Sequence, residues 1–213
     1  MMQGFAINTA TLGFQCPIEK SIDAIAAHGF AGIAPWRREI EGQNVSIIAK
    51  RIRDAGLKVT GYCRSTYFPS LTREGLHANI ESNRRALDDA AVLGANSFVM
   101  VVGGLPKGSK DIAVARAHVV EGTAQLLEYG KSLGVRIALE PLHPVYTAER
   151  SCLTLLSEAL EMCQQIEGAV AVSFCFSGCR VVVACIGVSW GDAIMPRPSA
   201  AIQRPVLSAA WLS

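Results

Sequence analysis

Residues 133–144 read LGVRIALEPLHP. A glycine follows a long amphipathic stretch, a short link leads into the apolar run RIAL, and the run ends on Glu140 and Pro141. The same order recurs upstream, in HGFAGIA (28–34), AGLKVTG (55–61) and LGANSFVMV (93–101). The marker glycines Gly29, Gly56, Gly94 and Gly134 are spaced by 27, 38 and 40 residues, the size of one strand–helix unit. Each stands where a helix needs a left-handed C-cap.

Working outward, the periodicity predicts strands at 4–8, 31–34, 58–62, 97–102, 136–139 and 169–173. Helices are predicted at 17–28, 44–55, 73–93, 110–133 and 151–166. Asn44, Thr72 and Ser151 read as N-caps, and Pro17 as a first helical residue. The run SFVMVV is apolar on both faces, as a buried parallel strand is. Repeated βα units give a doubly wound sheet or a (β/α)8 barrel. No GxGxxG or GxxxxGK[ST] loop follows the first strand, which weighs against nucleotide binding.

Composition narrows the classes further. The chain has 213 residues, of which 50% are hydrophobic and 18% charged, which excludes disorder and allows one large domain or two small ones. A net charge of +2 predicts neither a nucleic-acid nor a membrane partner. Seven cysteines without a CxxC make a poor disulfide or zinc framework, so a reducing cytoplasm is the expectation. No Lys or Arg precedes Lys20, unlike a secretory signal. Residues 169–188 are nearly all apolar or small, but Arg180 near their middle argues against a membrane span.

Active sites of parallel α/β folds lie at the C-terminal strand ends. There the sequence places Asn8 and Thr9, then Trp36 and Arg37, then Tyr62, Cys63 and Arg64, then Gly103 and Gly104, then Glu140 and His143. Glu140 suits a hard divalent cation; it equally suits a helix cap or an ion pair with Arg64. His143 reads as a ligand, a substrate contact or an acid/base, and by itself better as a plain surface histidine. Trp36 with Arg37 suits stacking on and clamping a sugar or phosphate, or closing the barrel mouth. Arg64 suits an anion or a structural ion pair. Cys63 reads as a structural thiol, and His28, His77 and His118 as surface residues.

The runs IAPWR (33–37), GYCRSTYFP (61–69), VVGGLPKGS (101–109) and above all RIALEPLHPVYTAERSCLTLLSEALEMC (136–163) resemble the sugar phosphate isomerase/epimerase family, the xylose-isomerase-like TIM barrels. The resemblance covers about residues 3–172. It implies a (β/α)8 barrel that isomerises or epimerises a ketose, sugar phosphate or inositol-derived ketone, usually with Mn²⁺ or Mg²⁺. It implies Glu140 as metal ligand and acid/base, with Trp36, Arg64 and His143 positioning a small-molecule sugar. The related endonuclease-IV-type DNA repair barrel is the alternative, and four histidines with a charge of +2 weigh against it. A non-catalytic fragment, surviving as a homo-oligomer or binding module, is the third reading.

The match breaks after residue 172. The family's Asp, with its DxxH pattern, is replaced by Ser173-Phe174-Cys175-Phe176, and no histidine follows His143. Of 18 acidic residues, one lies in 171–213. The expected organisation is therefore a barrel portion over 1–172, with about five to six βα units, and an atypical tail over 173–213. Loss of the native reading frame near residue 172 is the preferred explanation of that tail, and a divergent genuine segment is the alternative. Either way the metal set is incomplete, and this chain is expected to be inactive or nearly so.

Overall fold

The computed structural model describes residues 2–14, 16–147, 149–166, 170–173 and 185–186. Strands and helices alternate: β1 (Met2–Asn8), α1 (Ile18–Ala27), β2 (Phe30–Ala34), α2 (Arg37–Ile40), α3 (Val45–Asp54), β3 (Lys58–Val59), β4 (Tyr62–Cys63), α4 (Arg73–Leu93), β5 (Ser97–Met100), α5 (Ile112–Leu133), β6 (Arg136–Leu139), α6 (Leu156–Gln165) and β7 (Val170–Ser173). Every pairing from β1 through β7 is parallel, so all these strands end on the same rim. The architecture is the α/β, TIM-barrel type expected, as a partial barrel among the described residues.

The predicted third strand is split. β3 pairs with β2, while β4 pairs with β5, and the break falls at Thr60-Gly61. One chain segment thus changes ladder partner midway, and a parallel bridge from Trp36 to Cys63 keeps the wall continuous. β8 (Cys185–Ile186) pairs antiparallel with β7, past the stretch for which parallel strands were expected. The remainder of the 173–213 tail lies outside the described residues.

Helix ends follow local chemistry, with one exception. Asn44, Thr72 and Asp111 each accept a backbone N–H of the first turn. Gly94 and Gly134 close α4 and α5 at φ 71°, a left-handed conformation that disfavours a Cβ. Pro17 is the residue before α1 rather than its first. Ser151 does not start a helix: its backbone bridges Gly103, its hydroxyl donates to the Leu153 carbonyl, and α6 begins five residues later at Leu156. Glu158 supplies the cap instead, accepting the N–H groups of Thr154 and Leu155 at 3.1 and 3.2 Å.

Alternation along the strands divides two apolar layers. Phe98, Met100, Ile137 and Leu139 join Ile18, Ile22, Ile52, Leu76, Leu87 and Val119 in the large core between sheet and helices. Val99 and Ala138 point the other way and meet Cys63 and the half-buried Trp36 in a small cluster. The helix-facing layer, with its many fully buried branched side chains, supplies most of the hydrophobic stabilisation. The inner cluster sets what lies beneath the rim.

Candidate active site

Four loops bring polar and aromatic groups to the shared rim. After β1, Asn8 accepts the Ala10 N–H at 3.0 Å and so fixes a short 3-10 turn, from which Phe14 reaches Trp36. The two rings lie 5.4 Å apart, tilted by 59°. After β2, the Trp36 N–H lies 3.2 Å from both the Thr9 hydroxyl and the Glu39 carboxylate, and Thr9 itself donates to Glu39. This network holds the indole over Cys63, Val99 and Ala138. Trp36 therefore closes the inner cluster from above while its ring meets Arg64 at 5.9 Å.

Arg64 follows β4 through a cis peptide. Its guanidinium lies 4.8 Å from the Tyr67 ring centroid and donates to the Tyr67 hydroxyl. Burial and the like charge of Arg150 push its pKa below the ordinary arginine value, and Glu140 pulls it back up. Arg64, after β4, thus feels two charges of the segment after β6, Arg150 and Glu140. Glu140 is 7% exposed, directly after β6, and its N–H extends the ladder to the Met100 carbonyl at 2.9 Å. A carboxylate so placed is held by backbone pairing rather than by a mobile loop.

Trp36, Arg64 and Glu140 are thus brought together. His143 is exposed, and its Nδ1 accepts the Val145 N–H at 3.2 Å. Arg37 is not free to clamp a ligand, as its pairing with Trp36 in sequence suggested. It donates to Thr66 at 2.9 Å and to Ser82 at 3.1 Å and pairs with Glu41 at 2.8 Å, tying the loop after β4 to α4. Cys63 is buried, as a structural thiol would be. His28 and His77 are exposed as expected, whereas His118 is half-buried with its Nδ1 enclosed.

Two residues escaped the sequence reading. Glu39 stands three after Trp36, the spacing of a capping box, but a tryptophan at the cap hid the signal. Phe14 lies in a loop whose path only the fold shows.

The expected divalent metal is not matched by these side chains. Such ions take about six to eight oxygen ligands, or several with waters. Among the described residues no three His, Cys, Asp or Glu side chains converge. After residue 166 the sequence offers only Glu167 and Asp192 as carboxylates, and no histidine. Glu140 alone does not make a divalent-cation site.

Comparisons with known proteins place this arrangement. Protein SMc04130 from Sinorhizobium meliloti 1021 superposes with a TM-score of 0.78 at 42% identity, over 82% of this chain and 63% of its own. D-psicose 3-epimerase, solved in the presence of D-fructose, gives 0.68 at 19% identity, over 79% of this chain and 62% of its own. An AP endonuclease of family 2 from Brucella melitensis gives 0.66 at 17%, over 79% and 66%. At such identities the last two show the fold alone. The chain spans less than two thirds of the length of the first two. No curated protein matches it. The model of the xylose isomerase-like TIM barrel family matches residues 22–202, running past residue 172. With strand order, rim chemistry and this match in agreement, the chain belongs to the xylose isomerase-like TIM barrel family.

Proposed function

We propose that this chain binds a small carbonyl sugar at the strand ends and performs the first half of an isomerase or epimerase reaction. The supporting observation is Glu140: a buried carboxylate, fixed by the sheet, under the field of Arg64. In this reading Glu140 takes the proton from the carbon beside the carbonyl, and the electron pair moves onto the carbonyl oxygen. Arg64 donates to that oxyanion and stabilises the enediolate. Trp36, Tyr67 and Phe14 pack the C–H face of the sugar, with His143 as an outer contact.

Epimerisation needs a second group to return the proton on the opposite face. Glu39, the other carboxylate named at the rim, is taken up by the Thr9 hydroxyl and the Trp36 N–H, so in this reading Glu140 returns the proton to the face it came from. The consequence is hydrogen exchange without inversion. Proton NMR in D₂O, with D-fructose and a panel of ketoses, tests this. Slow loss of the proton beside the carbonyl is expected, with no epimer formed, and with the loss abolished in Glu140→Gln. Equal exchange in both proteins would remove Glu140 from the chemistry.

The boundary at residue 172 belongs to the same proposal. Coding DNA around that codon, read in all three frames, tests it: a DxxH continuation in another frame is expected. Its absence would make 173–213 a genuine, divergent segment.

A further inference from the structure

We infer that Arg37 is a positioning residue: it sets the Arg64 guanidinium against the Trp36 indole and so fixes where the donor to the oxyanion stands. The inference rests on the proton-transfer reading above and adds a residue that touches neither the sugar nor the proton.

Arg64 is held between two ties to consecutive residues of the loop after β2. One residue before it, Cys63 donates its N–H to the Pro35 carbonyl at 3.0 Å and bridges Trp36. Two residues after it, the Thr66 hydroxyl accepts from the Arg37 guanidinium at 2.9 Å. The first tie is main chain and follows from the strands. The second depends on the Arg37 side chain. With both ends fastened to the Trp36–Arg37 segment, the Arg64 guanidinium comes to lie 5.9 Å from the Trp36 ring and 4.8 Å from the ring of Tyr67, the residue after Thr66.

Other bonds hold the same loop on its far side. Asn83 of α4 takes both backbone groups of Thr66. On the extension of β5, the Val101 carbonyl accepts the Ser65 hydroxyl at 2.8 Å and the Val102 carbonyl accepts the Phe68 N–H at 2.9 Å. These partners belong to α4 and the β5 side, whereas Cys63 and Arg37 fasten the loop to the β2 side, where Trp36 stands.

Arg37 is arranged for this link rather than for stability. Its side chain is 13% exposed, but its partner Glu41 is 62% exposed, and a pair so open to water contributes little. The Arg37 Nε is enclosed without a hydrogen bond, which costs stability. The Thr66 and Ser82 hydroxyls lie 2.8 Å apart and have each other as partners without Arg37. What the guanidinium supplies is a planar fork, with one nitrogen on Thr66 and the other on Ser82 at 3.1 Å and Glu41 at 2.8 Å. A fork of this kind fixes geometry where an ammonium, a point charge, does not. The Asp89 carboxyl of α4 also feels the Arg37 charge, so a fair test keeps a cation at this position.

Two readouts on the full chain test the inference: hydrogen exchange of D-fructose in D₂O at varied sugar concentration, and the Trp36 indole N–H signal of the ¹⁵N-labelled protein. Trp36→Phe identifies that signal, and Arg64→Gln shows where it moves when the guanidinium is gone. Arg37→Lys removes the fork and Thr66→Val removes its target, and both keep the cation. In each, the indole signal should move in the direction set by Arg64→Gln. The kcat of exchange should fall about tenfold or more, as a displaced group loses rate, with KM within about twofold of the wild type. Should Arg37→Lys fail to fold, Thr66→Val decides. An unmoved indole signal, or an unchanged kcat, overturns the inference and leaves the proton-transfer reading standing. No exchange in the wild type, with the indole signal moved in the variants, removes the proton-transfer reading and keeps Arg37 as the residue that sets Arg64 against Trp36.

Discussion

Asn83, fully buried on α4, holds Thr66 by both backbone groups: its Oδ1 accepts the Thr66 N–H at 2.7 Å and its Nδ2 donates to the Thr66 carbonyl at 2.9 Å. An amide side chain here replaces a strand neighbour for the loop that carries Arg64 and Tyr67. Asn83→Ala strands a buried donor and acceptor together, and each such group costs about 1–3 kcal/mol. Urea unfolding should show a loss of about 2–3 kcal/mol, with a lower midpoint and an unchanged slope. An unchanged midpoint would mean that Thr66 finds other partners.

Gly122→Ala sets two effects against each other. Alanine gains about 1 kcal/mol of helix propensity in α5. The added Cβ would sit 2.3 and 2.4 Å from ring atoms of the fully buried Phe68, and overpacking of this kind costs about 1–3 kcal/mol. Packing should win, with a net loss of about 1 kcal/mol or more. Phe68→Leu in the same chain should relieve the clash, so the double variant is more stable than the sum of the singles. Strict additivity would show that the ring was never the obstacle.

Acid stability should depend on Glu158. Burial pushes its pKa up, but the Thr154 N–H, Arg116 and the Leu155 N–H together hold it below the ordinary 4.5. A depressed carboxylate contributes stability at pH above 4.5 and loses it as pH falls through the lower folded value. Glu158→Gln should therefore cost about 1 kcal/mol at pH 7 and flatten the fall in melting temperature below about pH 4.5. Parallel pH profiles of the two proteins would contradict this.

Metal titration addresses the missing ligands. Losing a single ligand or its support typically costs about 10–100-fold in affinity or activity. Calorimetric titration with Mn²⁺ should show no micromolar binding, and ketose epimerisation should stay well below about 1 per second. Micromolar binding with ordinary turnover would place ligands beyond the described residues or on a partner chain.

The sequence by itself determined the strand–helix order, the parallel sheet and the rim residues. It did so because caps, glycine stops and apolar periodicity are local signals. α4 runs over 73–93 as its periodicity predicts, and β6 over 136–139. Only the tertiary structure decided the rest, because those choices turn on partners distant in the chain. Ser151 has the chemistry of an N-cap, yet its backbone is taken by Gly103, 48 residues earlier. Residues 58–62 read as one strand, yet the ladder passes from β2 to β5 at Thr60-Gly61. Arg37 has the look of a ligand clamp, yet Thr66 and Ser82 of neighbouring elements occupy it. Arg150 looks like one more loop cation until the fold sets its loop beside that of Arg64 on the extension of β5, because charge acts through space and not along the chain.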